Sequence, residues 1–333
     1  MYGPFMALGS RRNYGWGRSL AYAGLSALRF AFADGHYSTV HTHAQRFAQF
    51  ANFARNEFGV RDLAQADAQN LLESYARHLA ARCDEQERAK LNLKPISVAY
   101  ATNLISSAQI TMRVMTDDHS IRVSPSRYVG KRSHQRLEMP ASMNEDAVDA
   151  AVAEMTARGH TRAAALTRLA AVLGVRRREA SLANLDRLMC EAETHDWIQI
   201  SDGTKGGRRL ERRIDMTPER HEALVAAIAA RPAGSKNLLA KNESWVQFRD
   251  RVVKQGLRGL QRHQITGLRD LRAGYACRRY AQLAGQSAPC VGNGRTADRD
   301  SDRHARTVIA HELGHGRTDV VASYCGGSRR SRS

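Results

Sequence analysis

The stretch His311-Glu312-Leu313-Gly314-His315-Gly316-Arg317-Thr318-Asp319, closing on Tyr324, decides how the rest of the chain is understood. On one continuous helix, His-Glu-x-x-His sets two imidazoles on the same face, which is the donor pair of a zinc hydrolase. Such a site needs a third protein ligand. No Glu follows Glu312, and Thr318 and Val321 stand where the glycine and the histidine of a His-x-x-Gly-x-x-His continuation would be, so only Asp319 remains to complete it. The competing reading takes Leu313-Gly314-His315, with Tyr324 nine residues on, as the end of a site whose other parts lie upstream.

Charge bears on that choice. The 333 residues carry 51 Lys+Arg against 33 Asp+Glu, a formal +18, and a field of that sign suits a polyanionic partner such as nucleic acid. A zinc hydrolase leaves that charge unexplained. The length suffices for two domains with separate cores, and no apolar run is long enough to span a bilayer. The five cysteines are scattered, odd in number and without a Cys-x-x-Cys pair, which argues against a disulfide scaffold or a zinc finger and for a reducing compartment.

From the amino end, Ser10-Arg11-Arg12-Asn13-Tyr14 and the Ala/Leu run to Ala33 have some likeness to an export signal, but Arg18 and Arg29 interrupt the run. Residues 1–37 are therefore expected to be an N-terminal extension with a short helix from Leu20 to Phe32. Residues 38–123 read as an all-helical domain. Phe47, Phe50, Ala51, Ala54 and Phe58 share one helix face up to the Gly59 stop. Leu71, Leu72, Tyr75 and Leu79 follow an Asp67 cap, and Ala101, Leu104, Ile105, Ala108 and Met112 follow Ser97. Arg46, Arg55, Arg77 and Arg113 on these helices, with Lys131 and Arg132 just beyond, are candidate contacts to DNA phosphates. The turn-rich stretch 124–139 reads as a linker.

Residues 140–325 change pattern. Helices are expected after Asn144 and over 162–173. Trp197-Ile198-Gln199-Ile200 and Arg212-Arg213-Ile214-Asp215-Met216 flank a Gly-rich turn and predict a β-hairpin. Thr217-Pro218 opens another helix, Asn242 to Leu257 a further one, and Leu268 begins a helix running to about Leu283. Gly285 to Arg306 has no period and predicts a long exposed loop, with the final helix starting at Thr307. The basic tail 326–333 reads as disordered.

Four of these stretches together resemble the motifs of the tyrosine recombinases (phage-integrase family), over about residues 38–325. Gly174-Val175-Arg176-x-x-Glu179-Ala180 is similar to the first arginine motif, and Lys205 on the hairpin turn matches the family's lysine. Arg269-Asp270-Leu271-Arg272, followed by Tyr275-Ala276 and Tyr280, resembles His-x-x-Arg, and Leu313-Gly314-His315 with Tyr324 resembles the last motif. The wording is similar to integrases of bacterial mobile elements and genomic islands. One position departs: Arg269 stands where the family has a histidine, which puts the proton acceptor for the attacking tyrosine in question.

The resemblance implies a mainly α protein with a small β-sheet: an N-terminal helical core-binding (SAM-like) domain plus a mixed α/β catalytic domain, the two clamping DNA. It implies that Arg176 and Arg272 hold the scissile phosphate, His315 adds a hydrogen bond and Tyr324 is the nucleophile. Lys205 would protonate the leaving oxygen, Arg269 would hold the phosphate or lower the tyrosine pKa, and Glu179 would be structural. Two permanently charged, bidentate guanidiniums suit the extra negative charge of a pentacoordinate phosphorane. The implied activity is site-specific integration or excision of a mobile element through a 3′-phosphotyrosine, with no cofactor. The implied partners are double-stranded attachment-site DNA, a homotetramer on that DNA (a monomer when free), and a directionality or DNA-bending factor, in the bacterial cytoplasm with no membrane. An inactive recombinase-derived DNA-binding protein is the alternative that Arg269 suggests.

Overall fold

Apolar residues spaced three and four apart make the first part of the chain helical throughout. The computed structural model describes residues 12–204, 212–292, 294 and 297–327, and the chain divides into two compact units, 1–133 and 134–333. In the first unit α1 (Leu20–Phe32), α2 (Tyr37–Phe58), α3 (Ala68–Cys83), α5 (Val98–Thr116) and α6 (Pro125–Val129) enclose one core, and the short α4 (Glu85–Lys90) lies outside it with no buried residue. Phe47, Phe50, Leu72, Tyr75, Leu79, Leu104, Ile105 and Met112 fill it. The Asp67 carboxylate caps α3 at the Asn70 N–H (3.0 Å), the Ser97 hydroxyl caps α5 at Tyr100, and Gly59 ends α2 in the left-handed region.

Two expectations change here. Helix α1, read as part of an extension, belongs to the core through Leu20, Ala23 and Ala27, and Trp16 ahead of it donates from Nε1 to the Met115 carbonyl. Part of the stretch read as a linker is helix α6, whose Val129 is buried in the same core. The pattern of Gly, Arg and Ser around both segments hides a few well-placed apolar anchors.

The second unit holds α7 (Glu145–Ala157), α8 (Thr161–Leu173), α9 (Arg177–Leu182), α10 (Leu185–His195), β1 (Trp197–Gln199), β2 (Arg213–Asp215) and α11 (Pro218–Ala230). Then come α12 (Trp245–Phe248), a π turn (Arg249–Val253), α13 (Lys254–Arg262), α14 (Leu268–Ala284), α15 (Arg299–Glu312) and α16 (Ala322–Cys325). Among the described residues the sheet is the hairpin alone: β1 and β2 pair antiparallel, with Ile198 opposite Ile214. The chain is thus mainly α with one small sheet.

One core gathers Leu166, Leu169, Ile198, Ile214, Leu224, Phe248 and Leu260; another gathers Ala276, Tyr280, Ile309, Leu313, Val321 and Cys325. Helix α14 serves both, giving Leu271 to the first and Ala273, Ala276 and Tyr280 to the second. Residues 270–277 are all buried as a result, and Arg272 is carried into the interior with them.

The last third of the expected loop from 285 to 306 is helix. Helix α15 begins at Arg299, where the Asp298 carboxylate accepts from the N–H groups of Asp300 and Ser301. Its inward face includes Asp302 and Arg306, paired at 3.0 Å and joined by the Tyr280 hydroxyl, which donates to Asp302 at 2.7 Å. A charged pair on the buried face erases the apolar period that would have shown the helix in the sequence. Among the described residues, the rest of the stretch is exposed only in part. Ala288 and Ala297 are buried, and the Cys290 N–H donates to the Cys325 carbonyl at 2.9 Å.

Candidate active site

Three turns converge on Arg272. Helix α8 ends at Gly174 (φ 60°), α15 ends at Glu312 with Gly314 (φ 63°) turning the chain inward, and α16 presents Tyr324. Both glycines are needed for conformation, and Gly174 also for space: a Cβ there would stand 2.3 Å from the Tyr275 ring.

Arg272, 4 % exposed, spends its donors on all three turns. Nη1 donates to the Gly174 carbonyl at 2.5 Å, Nη2 donates to the Leu313 carbonyl and lies 3.2 Å from His315 Nε2, and Nε donates to the Tyr324 hydroxyl at 3.3 Å. The same hydroxyl lies 3.3 Å from His315 Nε2. Burial, chiefly, pulls the Arg272 pKa down to about 10, against a favourable effect of Tyr324, so the guanidinium stays charged at neutral pH.

Arg176 sits at the head of α9 on the other side of the Gly314 turn. Its Nη1 donates to Glu179 Oε1 (2.6 Å) and its Nη2 to the Gly314 carbonyl (3.1 Å). Its backbone N–H donates to Glu179 Oε2 at 2.7 Å. Of five guanidinium N–H groups, three keep no partner among the described residues, and the side chain is 31 % exposed, so it is Arg176 that has donors to offer an incoming anion. Arg176 and Arg272 therefore hold successive carbonyls, Gly314 and Leu313, of the turn that carries His315.

A third guanidinium completes the cluster. Arg212, 2 % exposed, donates from Nη1 to Glu179 Oε2 at 2.7 Å and from Nε to the Glu312 carbonyl at 2.5 Å, while its buried Nη2 has no partner among the described residues. Sequence reasoning did not select it; within an Arg-rich run nothing marks the one arginine that turns inward. Glu179 is buried, which by itself raises its pKa, but Arg212 and the hydrogen bonds from Arg176 and Arg212 outweigh this and keep the carboxylate below its usual value. His315 is pushed down to about 4, first by burial and then by Arg272, Arg176 and Arg212. It is neutral at physiological pH.

The arrangement also disposes of the His311/His315 pair. Helix α15 stops at Glu312, so His311 stays exposed on the helix while His315 turns inward to Arg272. Glu312 is locked by the Tyr275 hydroxyl (2.8 Å) and Arg279 Nε (2.9 Å). The helical spacing that would bring both imidazoles to one face is not realised.

Thus Arg176, Glu179, Arg272, His315 and Tyr324 come together. Arg269 does not join them; it is exposed on α14 and makes no hydrogen bond or ion pair with the described residues. Lys205 lies outside the described residues. In the first unit, Arg46 and Arg55 are nine residues apart on α2, half a helical revolution beyond two whole turns, so they leave opposite sides of the helix. Arg113 donates from Nε to the Ile121 carbonyl (2.7 Å), and Arg77 faces Glu73 at 3.8 Å. Arg55 instead shares a surface pocket with Arg12, Arg18 and Arg61. Lys131 and Arg132 are exposed.

Residues 134–278 match the protein-family model described as Integrase. Over those residues the second unit is similar to the integrase family. The matched region contains Arg176, Glu179 and Arg272 and ends before His315 and Tyr324, which the geometry above adds to the same site. Among solved structures, one titled "Crystal structure of XerA recombinase" aligns over 94 % of this chain and 94 % of that chain, at 14 % identity and a TM-score of 0.37. No curated protein matches the chain. Among the described residues no helix is long and apolar enough to cross a membrane.

Proposed function

We propose that the protein is a site-specific DNA recombinase that cuts and rejoins duplex DNA through a 3′-phosphotyrosine at Tyr324, integrating or excising a mobile element. The observation that carries this reading is the Tyr324 hydroxyl held 3.3 Å from Arg272 Nε and 3.3 Å from His315 Nε2, beside an Arg176 that keeps donors without a partner among the described residues. A phenol in that position can attack a phosphorus gathered by the two guanidiniums. The Tyr324 oxygen bonds to phosphorus, the bond from phosphorus to the 5′-oxygen breaks, and that oxygen takes a proton, in this reading from Lys205. Because the phosphodiester energy is kept in the tyrosyl ester, a second 5′-hydroxyl can reverse the step and reseal the strand.

Bidentate clamping by Arg272 requires a donor to be released, since four of its five N–H groups are engaged at rest. The incoming phosphate would take the place of His315 or Tyr324 as the acceptor. The net +18 and the four-arginine pocket of the first unit support duplex DNA as the partner. The reading includes a homotetramer on paired attachment sites, an accessory directionality or bending factor, and work in the bacterial cytoplasm without a cofactor.

Arg269, exposed where the family carries a histidine, favours a second reading: a chain that binds DNA and no longer cuts it. Incubation with nicked suicide duplexes drawn from a random-sequence library, followed by a denaturing gel and peptide mapping, separates the two. The recombinase reading expects a covalent adduct on Tyr324, lost in Tyr324→Phe. Tight binding with no adduct would leave the binding-only reading.

A further inference from the structure

We infer that His315 is the proton acceptor for Tyr324, because its Nε2 lies within hydrogen-bond reach of the phenol and carries a lone pair rather than a hydrogen. The inference rests on the recombinase reading and assigns a step for which that reading had no residue.

The tautomer follows from the neighbours. Arg272 Nη2, 3.2 Å from Nε2, is a permanent donor, so Nε2 must accept and the ring proton sits on Nδ1. Arg272 Nε donates to the tyrosine oxygen, which leaves the hydroxyl hydrogen directed to Nε2 at 3.3 Å. Among the described residues the Tyr324 oxygen has no other partner. Arg269 could not do this work even if it were near, since a guanidinium has no lone pair to offer. A histidine confined to donating to the phosphate would need its hydrogen on Nε2, facing the Arg272 donor, and that arrangement is repulsive.

Charge decides when the base is available. The groups facing His315 are Arg272 from α14, Arg176 and Glu179 from the head of α9, Arg212 beside β2, and Tyr324 from α16. With three guanidiniums and one carboxylate around it, the ring is a weak base in the free protein, pushed down to about 4. A scissile phosphodiester adds one negative charge beside those arginines. It also draws the Arg272 N–H onto its own oxygen, leaving the Nε2 lone pair to the phenol alone. Substrate binding therefore raises the basicity of His315 at the moment the proton must leave.

The step balances without a further reactant. The Tyr324 oxygen–phosphorus bond forms, the phenolic proton passes to Nε2, and the phosphorus–5′-oxygen bond breaks with protonation of the leaving oxygen by the general acid. The resulting imidazolium now has a hydrogen on Nε2 to donate to the phosphoryl oxygens, and it returns that proton to the phenol on religation.

The test is the pH profile of single-turnover adduct formation on a captured suicide duplex, with duplex affinity measured alongside. For the native chain the rate should rise along an acid limb and level off. His315→Gln should bind the duplex, form adduct about 10²- to 10⁴-fold more slowly near neutrality, and lose the acid limb. Its deficit should shrink as the pH nears the range where a phenol ionises on its own. Imidazole should partly rescue His315→Ala. A deficit that is constant at every pH, with no rescue, would overturn the assignment and leave His315 a phosphate ligand only. Should His315→Gln fold poorly, fluorotyrosine at position 324 decides in an otherwise native chain: the acid limb stays in place if it belongs to His315 and moves down if it is the phenol's own ionisation. A native chain that forms no adduct with any duplex overturns the recombinase reading itself.

Discussion

Arg212 and Glu179 form an ion pair closed to solvent, Nη1 to Oε2 at 2.7 Å, with side chains 2 % and 0 % exposed. Glu179 passes the charge on to Arg176, and Arg212 reaches across to the Glu312 carbonyl just ahead of the His315 turn. The pair therefore ties the turn at Arg176 to the turn at His315. Removing one partner strands the other charge in the interior.

Arg212→Met should accordingly cost about 3–5 kcal/mol in urea denaturation, the range for breaking one side of a buried pair. Pairing it with Glu179→Gln should recover part of that loss, because no bare carboxylate remains. An Arg212→Met variant as stable as the native protein would mean that the pair is open to water in solution. Arg212→Lys tests geometry separately: a single ammonium cannot serve Glu179 and the Glu312 carbonyl from two fixed nitrogens, so adduct formation should fall even if folding is retained.

Gly174→Ala should destabilise the second unit by about 1–3 kcal/mol, the usual cost of forcing an added methyl into a packed site. The methyl meets the Tyr275 ring at 2.3 Å, and the φ of 60° penalises any side chain besides. Moving the turn also shifts the Gly174 carbonyl that accepts from Arg272 at 2.5 Å. The thermal melt should drop and adduct formation should fall more than the loss of folded protein accounts for.

These two residues mark how far the sequence could be read. Arg176, Arg272, His315 and Tyr324 were legible as members of one site through the resemblance of their motifs to those of the tyrosine recombinases, and Gly174 as a helix stop because its run of residues has a fixed local shape. The hairpin, the Asp67, Ser97, Asn144 and Thr217 caps and the helix from Leu268 were legible for the same reason: a short run of residues determines them. Arg212 was not. It lies inward because of Glu179, 33 residues away, and no local pattern records that. The first half of α15 was hidden likewise by the buried Asp302–Arg306 pair, and the place of α1 in the core by contacts to α2 and α5.

The depressed pKa of His315 has a consequence for stability. In the unfolded chain the ring titrates near its ordinary 6.5, and in the native protein near 4. Above 6.5 neither state takes a proton, so the group is neutral in its effect. As pH falls from 6.5 toward 4 the unfolded chain binds a proton that the native protein refuses, and stability declines. Glu179 adds a second loss below its ordinary 4.5, since its native carboxylate is held charged by Arg212 and Arg176. Melting followed by circular dichroism across this range should show the decline, and His315→Gln should make it shallower between 6.5 and 4, where His43 and His78, lowered chiefly by burial, still contribute, while leaving the steeper loss below. A native profile with no slope above pH 4.5 would contradict the burial of a neutral His315.

Duplex binding should weaken steeply with salt, log K falling by about 0.9 per phosphate neutralised for each decade of salt. The first unit offers two kinds of arginine with which to apportion that slope. Arg55 and Arg61 border the pocket shared with Arg12 and Arg18 and have no ion-pair partner among the described residues. Arg113 is committed to the Ile121 carbonyl within its own fold. Arg55→Ala with Arg61→Ala should therefore make the salt slope shallower by about 2 while leaving the melt unchanged, the behaviour of two lost phosphate contacts. Arg113→Ala should do the reverse, lowering the melt and leaving the slope nearly intact. If instead the pocket pair leaves the slope untouched and Arg113→Ala reduces it, the phosphate-facing side of this unit is the side that carries Arg113, and the four-arginine pocket is an ordinary solvated patch.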